Sequence, residues 1–271
     1  MNWKREDNSV LSPAVLALAM IVLSALPASA FDGAHARYAA VLREHLRGGL
    51  VDYKALKAAP AELDAYLAAL AAVKPAEYEA WPRADKIAFW INTYNAYTLK
   101  AILDHYPIKP NWRASLRYPK SSIRQVPGVW DKLKFRVMGR ELTLDGMEHD
   151  ILRKQFNEPR AHMALVCASL GCPVLRPEPY TGAALDAQLD DQARRFLADP
   201  AKFRLDREKG AAYFSPIFKW FAEDFEPSAA AFMARYVSAQ DRAFLESGEF
   251  KVKWLDYGWA LNEAPPAGEK E

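Results

Sequence analysis

Two cysteines, Cys167 and Cys172, are the side chains of this sequence best suited to covalent chemistry. Ala168-Ser169-Leu170-Gly171 separates them, and the apolar run 161–167 leads into the first. Pro159-Arg160 bounds that run on one side and a Gly/Pro loop on the other, a pattern that predicts a short buried strand ending at Cys167. A thiol at a strand end faces a cleft from a rigid support. The N–H groups of the turn beyond it lower a thiol pKa or hold an oxyanion. Two other readings compete. A free cysteine is commonly just a small buried apolar residue. A Cys167–Cys172 bridge is also geometrically allowed across so short a turn; it would remove the nucleophile and leave room for a redox role.

A nucleophilic thiol needs a base, and His149 and His162 are the nearest histidines in sequence. Period-two alternation sets His162 on the opposite strand face from Cys167, about 16 Å away along an extended chain. This reading assigns His162 to the core and leaves His149 as the candidate base, with a helix-surface histidine, Glu148 favourable near the helix N-terminus, as the competing reading. On a helix, His149 would share a face with Leu152 and Phe156, with Glu148 beside it and Arg153 one turn on. Asn92 and Asn95 lie three apart on another helix, inside an apolar stripe. Amides there must be fully hydrogen-bonded, either tying down a loop or orienting the base and oxyanion. Asp224, set among aromatics, is a helix cap or a partner of Arg153 or Arg160. No phosphate loop, dinucleotide fingerprint, H-E-x-x-H or paired C-x2-C is present, so neither a metal nor a cofactor is expected.

The elements that must position these groups follow from periodicity. Helices are expected over 32–47, 61–73, 83–105, 144–156, 185–198 and 228–237, the strongest being 83–105, which Pro107 ends. Hairpins are expected at 134–142 and around Glu208-Lys209-Gly210, and a last strand near Phe250, Val252 and Trp254. Together they describe an α+β fold, a single domain with a mainly antiparallel sheet packed with helices. The chain has 271 residues, 51% apolar and 26% charged, with a formal net charge of +2. That balance gives no footprint for nucleic acid. An apolar run from Val10 to Leu26, followed by Ala28-Ser29-Ala30, has the form of a cleavable leader over 1–30. It implies a mature start at Phe31, a periplasmic or secreted location, and no lasting membrane span. The domain then extends over 31–261, and 262–271 is expected to fray.

Four segments carry a family resemblance: Lys86 to Ala96, Met147 to Arg153, His162 to Pro173 and Phe218 to Phe225. Their order and spacing resemble the domain-of-unknown-function 547 family, from about Val51 to Phe225, and the leader would make this an exported bacterial member. The resemblance also carries a similarity to papain-like cysteine hydrolases. It thereby implies a cysteine-dependent hydrolase or acyltransferase acting on an amide or ester of a peptide or small molecule. Cys167 would be the nucleophile, His149 the base, and Asn92, Asn95 and Glu148 the supporting groups, with Cys172 an alternative thiol or disulfide partner. The alternatives are a non-catalytic binding domain stapled by Cys167–Cys172, and thiol–disulfide exchange through the same pair.

Overall fold

The structure, a computed structural model, describes residues 30–265. The leader expectation therefore lies almost wholly outside the described residues. The fold is α+β, in helices and three small sheets. Helix α1 (Ala36–His45) leads into the short hairpin β1 (Leu46–Arg47) and β2 (Leu50–Val51). Helices α2 (Tyr53–Ala58), α3 (Ala61–Ala72), α4 (Pro75–Glu79) and α5 (Arg83–His105) follow. Between Arg83 and His105 no glycine or proline interrupts α5, so its hydrogen-bonded ladder runs unbroken. Its expected stripe of Ile87, Trp90, Ile91, Tyr94, Thr98 and Ile102 is buried, and so are most residues between. α5 is thus a central helix, covered on nearly every side. Tyr38 of α1 stacks on Tyr66 of α3 at 5.1 Å, closing one flank of this first core.

After α6 (Trp112–Ser115) and a 3-10 turn at Ile123–Gln125, β3 (Phe135–Val137) and β4 (Arg140–Leu142) form the expected hairpin. α7 (Leu185–Ala198) spans the expected residues. β5 (Phe203–Asp206) and β6 (Ala211–Phe214) form the second hairpin. β7 (Lys251–Trp254) joins β6 in parallel, the one departure from antiparallel pairing in the named sheets. α8 (Ile217–Trp220), a 3-10 turn at Ala222–Asp224, α9 (Ala229–Ala234) and α10 (Ala239–Ser247) complete the order. A second core gathers here around Phe218, Phe225 and Phe232.

Three local expectations are corrected. The segment 161–167 is no strand: Pro159–Met163 is a 3-10 helix capped by the Glu158 side chain, which accepts from Arg160 N–H. Proline at the first position suits a helical turn, and the alternation argument that separated His162 from Cys167 fails with the strand. Second, Gly146–Phe156 is a π-helix. Its i→i+5 bonding widens each turn, so Leu152 and Phe156 rotate away from the His149 face. Glu148 goes inward with them, and His149 stays half-exposed. Third, residues 262–264 do not fray. Asn262 is buried, accepts the Tyr53 hydroxyl at 2.7 Å, and donates its N–H to Ala168 O, while Ala264 N–H reaches Val51 O.

Candidate functional site

Asn95 shows how α5 builds the site. Its amide donates to Ala164 O at 3.0 Å and accepts from Val166 N–H at 2.8 Å, gripping the segment that delivers Cys167. Asn92 does the same for Tyr180, 2.7 Å to its O and 2.9 Å from its N–H. Both amides are thus spent on backbone, the tying role, and neither orients a histidine.

Cys167 and Cys172 are joined in a disulfide, and no free cysteine remains. Cys167 is half-buried and Cys172 is buried. The loop between them turns through Ala168, whose φ of 57° places a non-glycine residue in the left-handed region. Such strain persists only where surrounding contacts over-determine it. Here the contacts come from the chain after β7. Leu170 N–H reaches Ala260 O and Gly171 N–H reaches Gly258 O, both within 2.9 Å. A Cβ at Gly171 would sit 2.9 Å from both the Gly258 nitrogen and the Tyr257 ring, so this crossing requires glycine. The same strap places the Tyr257 hydroxyl 3.2 Å from Cys167 Sγ and 3.1 Å from Cys172 Sγ. Cys167 N–H donates to Cys172 Sγ at 3.0 Å.

The bridge lines a pocket of about 360 Å3 at the seam of the two cores. Trp130, Trp220, Phe221, Tyr257 and Trp259 supply aromatic walls, and Arg124, Asp131, Asp145, Glu148, His149 and His162 supply polar groups. His162, assigned to the core from sequence, is indeed buried, yet it also borders this pocket. It stacks on Phe221 at 4.2 Å, and its Nε2 lies 2.6 Å from Asp224 Oδ2. Asp224 also receives Arg153 Nε at 2.5 Å, which decides its partner. Burial opposes ionisation of Asp224, but the bonds from His162 and Arg153 win and hold its carboxyl well below the usual range. Burial lowers the His162 pKa against the pull of Asp224. The neutral ring therefore donates from Nε2 and keeps its lone pair at Nδ1. His149 accepts Arg153 Nη1 at Nδ1, 2.8 Å, and presents Nε2 at 3.9 Å from Asp145.

Glu148 is the buried acid of the site. Burial pushes its pKa up to about 7, with Asp145 adding to the shift and a hydrogen bond from Tyr94 resisting it. A carboxyl poised near neutrality, beside a pocket, has the character of a proton-exchanging group. Among the described residues no cluster of three or more His, Cys, Asp or Glu is arranged to hold a metal ion. Nor is any helix among them long and apolar enough to cross a membrane. The sequence reading missed Arg124, Trp130, Asp145, Tyr257 and Trp259. The signals available were the aromatic run from Trp254 to Trp259 and its Gly258, close to a terminus expected to be loose.

The fold and site define a class: an α+β domain whose central helix and C-terminal strap present a disulfide to an aromatic, acid-lined pocket. Residues 78–197 match the family described as "Protein of unknown function, DUF547", so the chain carries a DUF547 region from α4 to α7, as its motifs led us to expect. The Phe218 to Phe225 motif, with Asp224, lies beyond that stretch. No curated protein and no solved structure matches the chain.

Proposed function

We propose that this domain carries out thiol–disulfide exchange with a small thiol admitted to the pocket. The observation that carries the reading is the set of donors around the sulfurs. Cys172 Sγ, the buried one, receives both Cys167 N–H and the Tyr257 hydroxyl. Hydrogen bonds to a sulfur that must leave as thiolate lower its pKa and speed its departure. In the forward step an incoming thiolate attacks Cys167 Sγ, the half-buried sulfur. A mixed disulfide forms there, the Cys167–Cys172 bond breaks, and Cys172 carries the electron pair away and later takes a proton. A second thiol attacks the mixed disulfide at its outer sulfur, releasing the small disulfide and the protein dithiol. The forward sequence thus oxidises two small thiols, and the reverse reduces a small disulfide while the protein dithiol closes to the bridge. The leader pattern before Phe31 supports an exported protein, where such bridges persist; intact mass of protein from its native host checks that start. The test of exchange is to hold the folded protein in a glutathione redox buffer and count alkylated cysteines by mass. Reduction in the folded state, slowed about tenfold in Tyr257→Phe, is expected. A bridge that opens only on global unfolding would overturn the reading and leave a binding domain with a structural staple.

A second reading rests on a separate observation: His162, held by Asp224 behind it, borders the same pocket as Cys167. In the reduced form this pair supports the hydrolase expected from the resemblance, with Cys167 as nucleophile and a histidine as base. Asp224 orients His162, whereas His149 is held by Arg153, so the base assignment passes to His162. Alkylation of the reduced protein decides it. Cys167 should react well below its free pKa of about 8.5, and His162→Ala should abolish that advantage where His149→Ala does not. An ordinary thiol profile would remove the hydrolase.

A further inference from the structure

Among the described residues, Arg124 is the only lysine or arginine bordering the pocket. Its guanidinium lies over three rings at once, 4.5 Å from the Tyr118 centroid, 5.2 Å from Trp130 and 4.9 Å from Trp259. Nη2 donates to the Tyr118 hydroxyl at 2.7 Å. Among the described residues no carboxylate lies within ion-pairing distance of it. The other arginines held in this part of the fold are saturated: Arg153 meets Glu223 and Asp224, and Arg160 meets Glu158, Asp186 and Asp190. The aromatic stack therefore fixes the plane of a guanidinium that, among the described residues, has no ion-pair partner. A planar fork held in this way is suited to bidentate recognition of a carboxylate. The aromatic wall also connects it to the sulfurs. Trp259 lies 4.6 Å from the Tyr257 ring, and Tyr257 touches both cysteines.

We propose that Arg124 is the anion subsite of this pocket, binding the carboxylate of a small thiol or disulfide whose sulfur reaches Cys167. The inference rests on the exchange reading above and names its substrate class. A cavity of about 360 Å3 is at the small end for ligand sites, which fits a small molecule and leaves no room for a folded partner. Asp131 and Asp145 on the same lining repel a ligand with several negative charges, so a single carboxylate is the fitting anion.

The experiment compares 3-mercaptopropionate with its methyl ester as reductants of the folded, oxidised protein, at equal thiolate concentration. The acid should react about tenfold faster than the ester. That ratio should fall to about one in Arg124→Met, which keeps an apolar stem among the rings, and sit between the two in Arg124→Lys. Equal rates in the native protein, or a preference that survives Arg124→Met, would overturn the subsite while leaving exchange intact. If neither thiol opens the bridge, exchange itself fails, and the subsite is then judged with 3-(methylthio)propionate, which cannot react. Quenching of tryptophan fluorescence by this acid but not its ester, lost in Arg124→Met, would sustain the subsite alone; no discrimination would remove it.

Discussion

Glu148 and Asp224 are both acids of one site, yet their surroundings drive them in opposite directions. Glu148 is buried against Tyr94 and forms no ion pair among the described residues, and burial raises its pKa from an ordinary 4.5 to about 7 against the weaker pull of Tyr94 and Arg153. The folded state therefore holds a proton that the unfolded chain releases, and between about pH 4.5 and 7 stability falls as pH rises. Below that window both states are protonated and the full stability is present; above it the burial penalty, about 3 kcal/mol, is complete. Glu148→Gln should remove this slope, so the difference between native and variant unfolding free energies should grow across pH 4.5–7. A constant difference would show that Glu148 is not the buried acid described. Asp224 has the reverse sign. Its lowered pKa contributes stability above the ordinary carboxyl range and loses it as pH falls. Asp224→Asn should cost about 3 kcal/mol near pH 7, because Arg153 and His162 lose their shared partner. It should also lower the His162 pKa further, visible in the ring's proton NMR titration, since Asp224 is what raises it.

Elements explain which parts of the site a linear reading reaches. Helix α5 was legible because an uninterrupted stripe over 23 residues needs no tertiary information. The α+β class and the two hairpins were legible for the same local reason. The π-helix was not: the pattern of Ile151, Leu152 and Phe156 serves α and π turns equally until the hydrogen bonds are known, and the choice decides whether Glu148 or His149 points inward. The turn before Cys167 shows the opposite failure, a short apolar run whose first residues, up to Met163, are helical because Pro159 and the Glu158 cap start a 3-10 turn. What α5 does for that segment gives a prediction at this scale. Asn95→Ala removes two buried bonds and leaves Ala164 O and Val166 N–H without them, a loss of about 2–4 kcal/mol. Denaturant unfolding should show it, and a variant within 0.5 kcal/mol of native, the range of surface changes, would mean that the grip is not structural.

At the scale of the molecule, the Cys167–Cys172 loop is held twice, once by its bridge and once by the strap from Tyr257 to Asn262. The strap joins distant parts of the chain: Leu261 bridges Ser169, Asn262 receives Tyr53, and Glu263 pairs with Val51. Because the bridge closes a loop of sequence separation 5, the chain entropy it removes from the unfolded state is small, equivalent to about 2 kcal/mol. The strap bonds at Leu170, Gly171 and Asn262 do not depend on it. Reduction with a phosphine should therefore leave a folded domain that melts cooperatively, about 4–8 °C below the oxidised form. Exchange at the pocket demands this behaviour, since both redox forms must keep the Tyr257 hydroxyl beside the sulfurs. A reduced protein that loses its near-ultraviolet aromatic signal and its cooperative transition would show the bridge to be a staple on which the two cores depend.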